Sequence, residues 1–214
     1  MSVNEIARAV QDFARSARLA DDAGFDVVEV HGAHGYLLHE FCSPLSNRRA
    51  DAYGGSFDNR VRFPLEVARA VRDAWPKDKP VLYRLSATDW AEGGWSLDES
   101  IELARALAAI GIDMIDCSSG GNIHDAKIAL GPGYQVPFAS AIRAQAKIPT
   151  LAVGLITDAV QAEQIVAQGH ADAVCLARAM LRDPYWPRHA AKELRVELPW
   201  PDQYKRCDVG PLGR

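Results

Sequence analysis

The stretch Gly24-Phe-Asp-Val-Val-Glu-Val-His31 contains a junction that recurs along the chain. In it a glycine ends an amphipathic helix pattern, and an aspartate opens a short β-branched run typical of a strand. The junction returns at Gly111 and at Gly169, 87 and 58 residues after the preceding copy. Both distances are multiples of 29, close to the roughly 30 residues of one strand–helix unit. The repeat therefore predicts about five such units.

The predicted strands are short and almost wholly apolar, which is typical of a parallel sheet covered by helices. A doubly wound sheet could use five strands, whereas a (β/α)8 barrel needs eight strands and about 250 residues. A phosphate-site pattern after the last two predicted strands favours the barrel. We therefore predict an α/β fold, a partial TIM (β/α)8 barrel whose five units correspond to strands 4–8. The barrel part is expected to span residues 1–198, followed by a C-terminal tail over 199–214.

Composition and charge argue against several classes of partner. The 214 residues carry a formal net charge of −4, so neither nucleic acid nor an anionic membrane surface is expected as a partner. No apolar run reaches the roughly 20 residues of a membrane span, and no signal peptide is visible at the N-terminus. The four cysteines lie far apart without CxxC spacing, which favours reduced thiols and a cytoplasmic location.

Two histidines follow the first predicted strand, where parallel α/β proteins place their functional groups. His31 and His34 stand three residues apart among glycine and alanine, which leaves room for a ligand. Imidazoles can donate hydrogen bonds to a carbonyl or nitro oxygen. The same spacing could serve a zinc site, with His39, His124 or a carboxylate as third ligand, or the pair could be loop histidines without a task.

Two arginines and a glycine lie within or directly after the later predicted strands. Arg84 lies inside a buried strand, where a cation needs a partner; it could form an ion pair with Glu29 or Asp116, or face a bound anion or electron-rich ring. Gly154 and Arg178 follow the last two predicted strands, and in barrels these loops often bind phosphate. Gly154 could instead make only a turn, and Arg178 could pair with a nearby aspartate, either Asp172 or Asp183.

Several motifs resemble the Old Yellow Enzyme family of FMN-dependent NAD(P)H:flavin oxidoreductases, or ene-reductases, in its bacterial branch that includes xenobiotic reductases. The motifs are His31-Gly-Ala-His-Gly-Tyr36, Ser43-Pro-Leu-Ser-Asn-Arg-Arg49, Asp51-Ala-Tyr-Gly-Gly-Ser56, Asn59-Arg-Val-Arg-Phe63, Ala152-Val-Gly-Leu-Ile156 and Leu176-Ala-Arg-Ala-Met-Leu-Arg182. The resemblance runs from about Asn4 to Arg206. It implies a TIM barrel, FMN as cofactor, NADPH or NADH as reductant and an activated alkene as substrate.

The resemblance also implies roles for single residues on the substrate side. His31 and His34 would hydrogen-bond the electron-withdrawing group of the alkene, and Tyr36 would line the same pocket. Arg206 resembles an arginine near the C-terminus that reaches the active site of a neighbouring subunit, which implies a possible homo-oligomer.

On the cofactor side, the resemblance assigns Arg84 to the N1/O2 edge of the flavin, where a cation stabilises the reduced ring. It assigns Gly154, Ala177 and Arg178 to the FMN phosphate. It places the start of the family's barrel before Met1, so the first three strands are expected to be missing and turnover by this chain to be impaired. Two alternatives are a catalytically inactive fragment, or half barrel that needs a partner chain, and a metal-dependent hydrolase using His31 and His34.

Overall fold

The computed structural model describes residues 1–208, in which five strands alternate with helices. The strands are β1 (Val28–Gly32), β2 (Val81–Ser86), β3 (Met114–Ser118), β4 (Thr150–Ala152) and β5 (Ala173–Val174). The helices are α1 (Val3–Asp22), α2 (Leu37–Cys42), α3 (Phe57–Ala74), α4 (Leu97–Ile110), α5 (Val136–Ala146), α6 (Ala159–Ala167), α7 (Arg178–Arg182) and α8 (Trp186–Glu193), followed by a 3-10 helix (Asp202–Asp208). Residues 209–214 of the predicted tail lie outside the described region.

The five strands form one parallel sheet in the order β1-β2-β3-β4-β5. Each strand therefore pairs with the next strand along the chain, through a connection that contains a helix. A doubly wound sheet would show a reversal of this order at its switch point. The parallel α/β prediction is confirmed, and the unbroken order is that of adjoining strands in a (β/α)8 barrel.

The two faces of the sheet differ in burial. Val30, Tyr83 and Ile115 are in register on the helix-covered face and are fully or almost fully buried. On the opposite face Glu29 is exposed and Leu82, its partner in register, is half-buried. Within residues 1–208 the helices thus bury one face and leave the other, which would line the interior of a closed barrel, partly open.

Side-chain caps fix the ends of the longer helices. Ser96 Oγ accepts a hydrogen bond from the Glu99 N–H, and Glu99 Oε2 accepts one from the Ser96 N–H at 3.1 Å, so the capping box predicted for α4 is confirmed. Gly111 ends the same helix with φ of +99°, a conformation that favours glycine. None of the helices in the described part of the chain combines the length and the apolar character needed to cross a bilayer.

Candidate active site

Three predicted site residues come together at the end of β1 and in the loop that follows it. The ring centroids of His31 and His34 are 5.1 Å apart, and those of His31 and Tyr36 are 5.3 Å apart. His31 lies in register with Arg84 of β2, near the carboxyl end of the sheet. Parallel α/β folds bind their ligands at this edge, so the geometry can present several hydrogen-bond donors to one ligand oxygen.

Contacts from the ends of two neighbouring strands fix the position of His34. Its backbone N–H donates to Ser86 Oγ at 3.0 Å, and its ring Nε2 lies 2.7 Å from Ser118 Oγ. Its φ of +62° is uncommon for a residue with a Cβ. A Cβ added at Gly121 would lie 2.5 Å from the His34 Cα. The loop after β3 therefore needs glycine at this position to pack against the histidine.

Both histidines favour the neutral form. Burial, the positive charge of Arg84 and the neighbouring histidines lower the pKa of His34 to about 4. Burial and Arg84 also lower the pKa of His31. A neutral imidazole has one N–H donor and one acceptor nitrogen, so at neutral pH the pair can polarise a ligand oxygen without carrying a full charge.

Lowering the pH from about 6.5 towards 4 is expected to destabilise the fold through His34. The unfolded chain takes up a proton near the ordinary histidine pKa, whereas the folded site resists protonation until the pH approaches about 4. Across this window the wild type should lose more free energy of unfolding than a His34→Gln variant, which has no imidazole at this position. Urea unfolding at several pH values measures the difference.

Glu29 titrates over the same pH range, but its protonation on acidification favours the folded state. The two proteins compared must therefore both contain Glu29. Desolvation of its carboxyl and the charge of Asp116 raise the pKa of Glu29 to about 7, although the residue keeps contact with solvent. Both proteins retain Glu29, so its contribution cancels in the comparison. Free energies that fall in parallel in the wild type and the variant would contradict the assignment to His34.

Arg84 has a charged partner within the sheet. Its Nε lies 3.2 Å from Asp116 Oδ2, and the two residues are in register on β2 and β3. This contact lacks hydrogen-bond geometry, and Nε is buried without a hydrogen-bond partner among residues 1–208. The Arg84 side chain keeps 25 % of its surface exposed, whereas Asp116 keeps 2 %. Of the two ion pairs weighed from the sequence, the structure forms the one with Asp116, and it leaves the guanidinium with unused donor capacity towards the open face.

A cavity of about 410 Å³ lies between the loops that follow β4 and β5. Its lining includes Gly154, Ala177, Arg178 and Arg182, so the structure brings together the three residues predicted for the phosphate. Gly154 has φ of +122°, and a Cβ added there would lie 2.8 Å from Gln135 Nε2. Backbone can therefore approach the cavity at Gly154 more closely than any side chain would allow.

The aspartates proposed as alternative partners of Arg178 are occupied elsewhere. Asp172 Oδ1 and Oδ2 accept from Arg143 at 3.0 and 2.9 Å, and Asp183 Oδ2 lies 2.6 Å from His189 Nδ1. Among the ion pairs of the described residues, none includes Arg178. The arrangement leaves this cation for the cavity.

Two further expectations from the sequence have different outcomes. Arg206 lies exposed in the 3-10 helix and is not among the residues that line the 410 Å³ cavity. Within residues 1–208, no group of three or more histidine, cysteine, aspartate or glutamate side chains is placed to hold a metal ion. The metal-dependent hydrolase hypothesis required such a group.

A buried polar network next to the loop that carries His34 was not predicted from the sequence. The His39 ring lies 3.0 Å from Asp89 Oδ1, Ser43 Oγ donates to Asp89 Oδ2 at 2.5 Å, and the Gly35 N–H donates to His39 Nδ1 at 2.9 Å. His39, Ser43 and Asp89 are at most 1 % exposed. A usable signal was the aspartate three residues after the predicted strand 81–86, directly before Trp90. The network ties the loop after β2 to the loop that carries His34.

The comparison with family models identifies the chain. A model described as the NADH:flavin oxidoreductase / NADH oxidase family matches residues 1–197. The chain belongs to this family. The resemblance to the Old Yellow Enzyme family is thereby confirmed, and membership implies FMN as the cofactor with NADPH or NADH as the reductant.

Similar proteins agree with this membership. The chain is 49% identical over 207 residues to an NADPH dehydrogenase of Halalkalibacterium halodurans, covering 97% of this chain and 60% of the relative. Among solved structures, a 2-naphthoyl-CoA reductase complex matches with a TM-score of 0.84 and 32% identity, covering 90% of this chain and 30% of that one. An Old Yellow Enzyme homologue from Zymomonas mobilis matches with a TM-score of 0.74 and 27% identity, covering 93% and 55%. The chain spans about 60% of the length of the curated relatives that it matches.

The described residues fit an FMN group at both ends of the site. The cavity at Gly154 offers the close backbone approach and the two arginine side chains that a phosphate needs. At the other end, the Arg84 side chain keeps 25 % of its surface exposed on the partly open side of the sheet, and its Nε, 3.2 Å from Asp116 Oδ2, makes no hydrogen bond. The cation can therefore lie beside an electron-rich ring edge.

Proposed function

We propose that this chain supplies the substrate and phosphate sites of an FMN-dependent NAD(P)H oxidoreductase that reduces activated alkenes such as enones. The observation that carries the proposal is the shared position of two half-sites. His31 lies at the end of β1, His34 and Tyr36 follow it, and the Gly154 cavity follows β4. Parallel strands bring their carboxyl ends to one edge.

In the proposed reaction, bound FMN supplies the hydride chemistry and the chain's own residues prepare the substrate. His31 and His34, held neutral, donate hydrogen bonds to the carbonyl or nitro oxygen, so electron density leaves the β-carbon of the alkene. Tyr36 closes the same side of the pocket. Because negative charge develops on that oxygen in the transition state, donors fixed beforehand stabilise the transition state more than the ground state.

The cofactor side is proposed from the same geometry. Gly154, Ala177 and Arg178 hold the phosphate, and Arg84 places its positive charge beside the pyrimidine edge of the ring.

We propose that β1–β5 are strands 4–8 of the barrel, because the cavity after the last two strands matches the position of phosphate sites in such barrels. Residues 1–198 form this unit. Arg206 is proposed to act at the active site of a neighbouring subunit in a homo-oligomer.

A second candidate follows from the open sheet. β1 and β5 each pair with a single neighbour within the described region, and the face opposite the helices stays partly exposed. Open edges favour pairing with further strands. The chain would then act as a half barrel that needs a partner chain, and by itself it would show little turnover in NADPH oxidation with an enone.

Gel filtration after incubation with FMN tests the proposal. We expect the protein peak to carry a flavin absorption band near equimolar amount, and riboflavin, which lacks the phosphate, to be lost. The difference arises because the contacts of Gly154 and Arg178 are made to the phosphate alone. A colourless monomeric peak would refute the phosphate site in this chain. Equal retention of riboflavin would refute its assignment to the phosphate.

A further inference from the structure

A chain of hydrogen bonds runs between the two half-sites through Gln135, which is 2 % exposed. Trp90 Nε1 donates to Ser119 Oγ at 2.9 Å, and Ser119 Oγ donates to Gln135 Oε1 at 2.6 Å. On its other side, Gln135 Nε2 donates to the Val153 carbonyl at 3.0 Å. The indole N–H can only donate and the carbonyl can only accept, so this sequence of bonds fixes which way the Gln135 amide points.

The same network decides where the single hydroxyl proton of Ser118 goes. Ser118 Oγ lies 2.7 Å from His34 Nε2 and 3.5 Å from Gln135 Oε1. Gln135 Oε1 accepts from Ser119 at 2.6 Å and has a second lone pair, but its contact with Ser118 is at the limit of a hydrogen bond, whereas the contact with His34 is 0.8 Å shorter. Ser118 therefore donates to His34 Nε2. A neutral His34 then carries its own proton on Nδ1, because each ring nitrogen takes the state that its hydrogen bond requires.

Gln135 also touches the backbone of the candidate phosphate cavity. It lines this cavity together with Ser118, Val153 and Gly154. A Cβ at Gly154 would lie 2.8 Å from Gln135 Nε2. The Gln135 side chain therefore contacts both Ser118, which bonds His34, and Val153, which precedes Gly154.

We propose that Gln135 is a positioning residue that couples the phosphate cavity to His34. Its amide nitrogen holds the Val153 carbonyl, while Ser119 holds its carbonyl 3.5 Å from Ser118, which leaves the Ser118 proton to the closer His34. His34 is thereby set to offer Nδ1–H to the substrate oxygen. The catalytic meaning of this inference rests on the proposed function. The Nδ1–H tautomer of His34 and its dependence on Gln135 need no bound ligand, so both can be tested in the ligand-free chain.

Nitrogen-15 NMR of the histidine side chains tests the tautomer directly in the full chain. We expect Nδ1–H for His34 in the wild type. In Ser119→Ala, Gln135 Oε1 loses its donor, so Ser118 turns to it and accepts from His34 Nε2–H instead. The tautomer ratio should move towards Nε2–H by about fivefold, the equivalent of one typical hydrogen bond. Ser16→Ala, whose hydroxyl bonds only Asp12 on α1, should leave the ratio unchanged.

A double substitution separates positioning by Gln135 from a general structural role. In a Gln135→Leu background no carbonyl competes for Ser118, so adding Ser119→Ala should no longer shift the His34 tautomer. Gln135→Leu should also move the backbone amide resonance of Gly154, whereas the exposed control Gln168→Leu should not. Gln135→Met replaces leucine if the first variant unfolds.

Three outcomes would overturn the proposal: an Nε2–H tautomer in the wild type, an effect of Ser119→Ala that persists without Gln135, or an unchanged Gly154 amide in the Gln135 variants. Adding FMN to the same samples keeps the two proposals apart. Failure to retain flavin counts against the proposed function alone, since the tautomer experiments need no ligand. If the wild type retains flavin but Ser119→Ala leaves the His34 tautomer unchanged, the result counts against the coupling alone.

Discussion

Replacing Gly154 by alanine is expected to weaken FMN affinity by at least about fivefold. The residue has φ of +122°, and the new Cβ would lie 2.8 Å from Gln135 Nε2 and 3.0 Å from the Tyr134 ring. The loop would move to relieve both contacts, and binding would then have to restore a strained conformation. Strain of this kind amounts to about 1–3 kcal/mol, which corresponds to an affinity loss of about 5- to 150-fold. Flavin fluorescence titration measures it.

Gly131→Ala is the matched control for this prediction. Gly131 stands beside Leu130 of the same cavity, has no positive φ, and a Cβ there meets nothing within 4 Å. Its substitution should leave FMN affinity within about twofold of the wild type, which is less than 0.5 kcal/mol. If Gly154→Ala bound FMN as well as Gly131→Ala does, Gly154 would not form part of the phosphate site.

The sheet and the grouping of site residues could be predicted because both follow from local patterns and parallel topology. The strand predicted over 81–86 is β2 with the same bounds. Once strands are parallel, the residues after them meet at one edge, which brings Gly154 near Arg178, whereas His31 and His34 are already close in sequence. The fourth strand was predicted over 150–154 but ends at Ala152. The Val153 carbonyl accepts from Gln135 and Gly154 has a left-handed φ, so the ladder cannot continue.

The short helices and the buried network could not be predicted from local sequence. α2 and α7 have six and five residues, and neither has a side-chain cap, so tertiary packing decides their conformation. Asp89 and Ser43 are 46 residues apart, and no periodic pattern joins them. The partner of Arg84 needed the register between β2 and β3, which places Asp116 directly beside it.

Replacing Asp89 by asparagine is expected to lower the free energy of unfolding by about 3 kcal/mol. The carboxylate is fully buried and accepts from Ser43 Oγ and from the Trp95 N–H at 2.9 Å, and its other oxygen faces the His39 ring. Burial alone would raise the pKa of Asp89, but the close His39 ring and the hydrogen bonds from Ser43 and Trp95 outweigh it and lower the pKa. An asparagine side chain turns an NH₂ group towards one of these donors and leaves it unsatisfied.

Urea unfolding measures the loss, with Asp51→Asn as the control. Asp51 pairs with Arg49 at 2.5 Å, but its side chain is 40 % exposed, so its substitution should lower the free energy of unfolding far less than Asp89→Asn does. Equal effects of the two substitutions would contradict the argument that burial makes the Asp89 network strong.

The same substitution should reach the histidine loop, because the network determines the proton of His39. The Gly35 N–H donates to His39 Nδ1, so the ring proton lies on Nε2 and faces Asp89. Without the carboxylate the ring can turn and release Gly35, the neighbour of His34. Hydrogen exchange of the Gly35 amide should therefore accelerate more in Asp89→Asn than the loss of global stability accounts for. Exchange that tracks global stability alone would restrict Asp89 to a structural role, with His34 held by Ser86 and Ser118 alone.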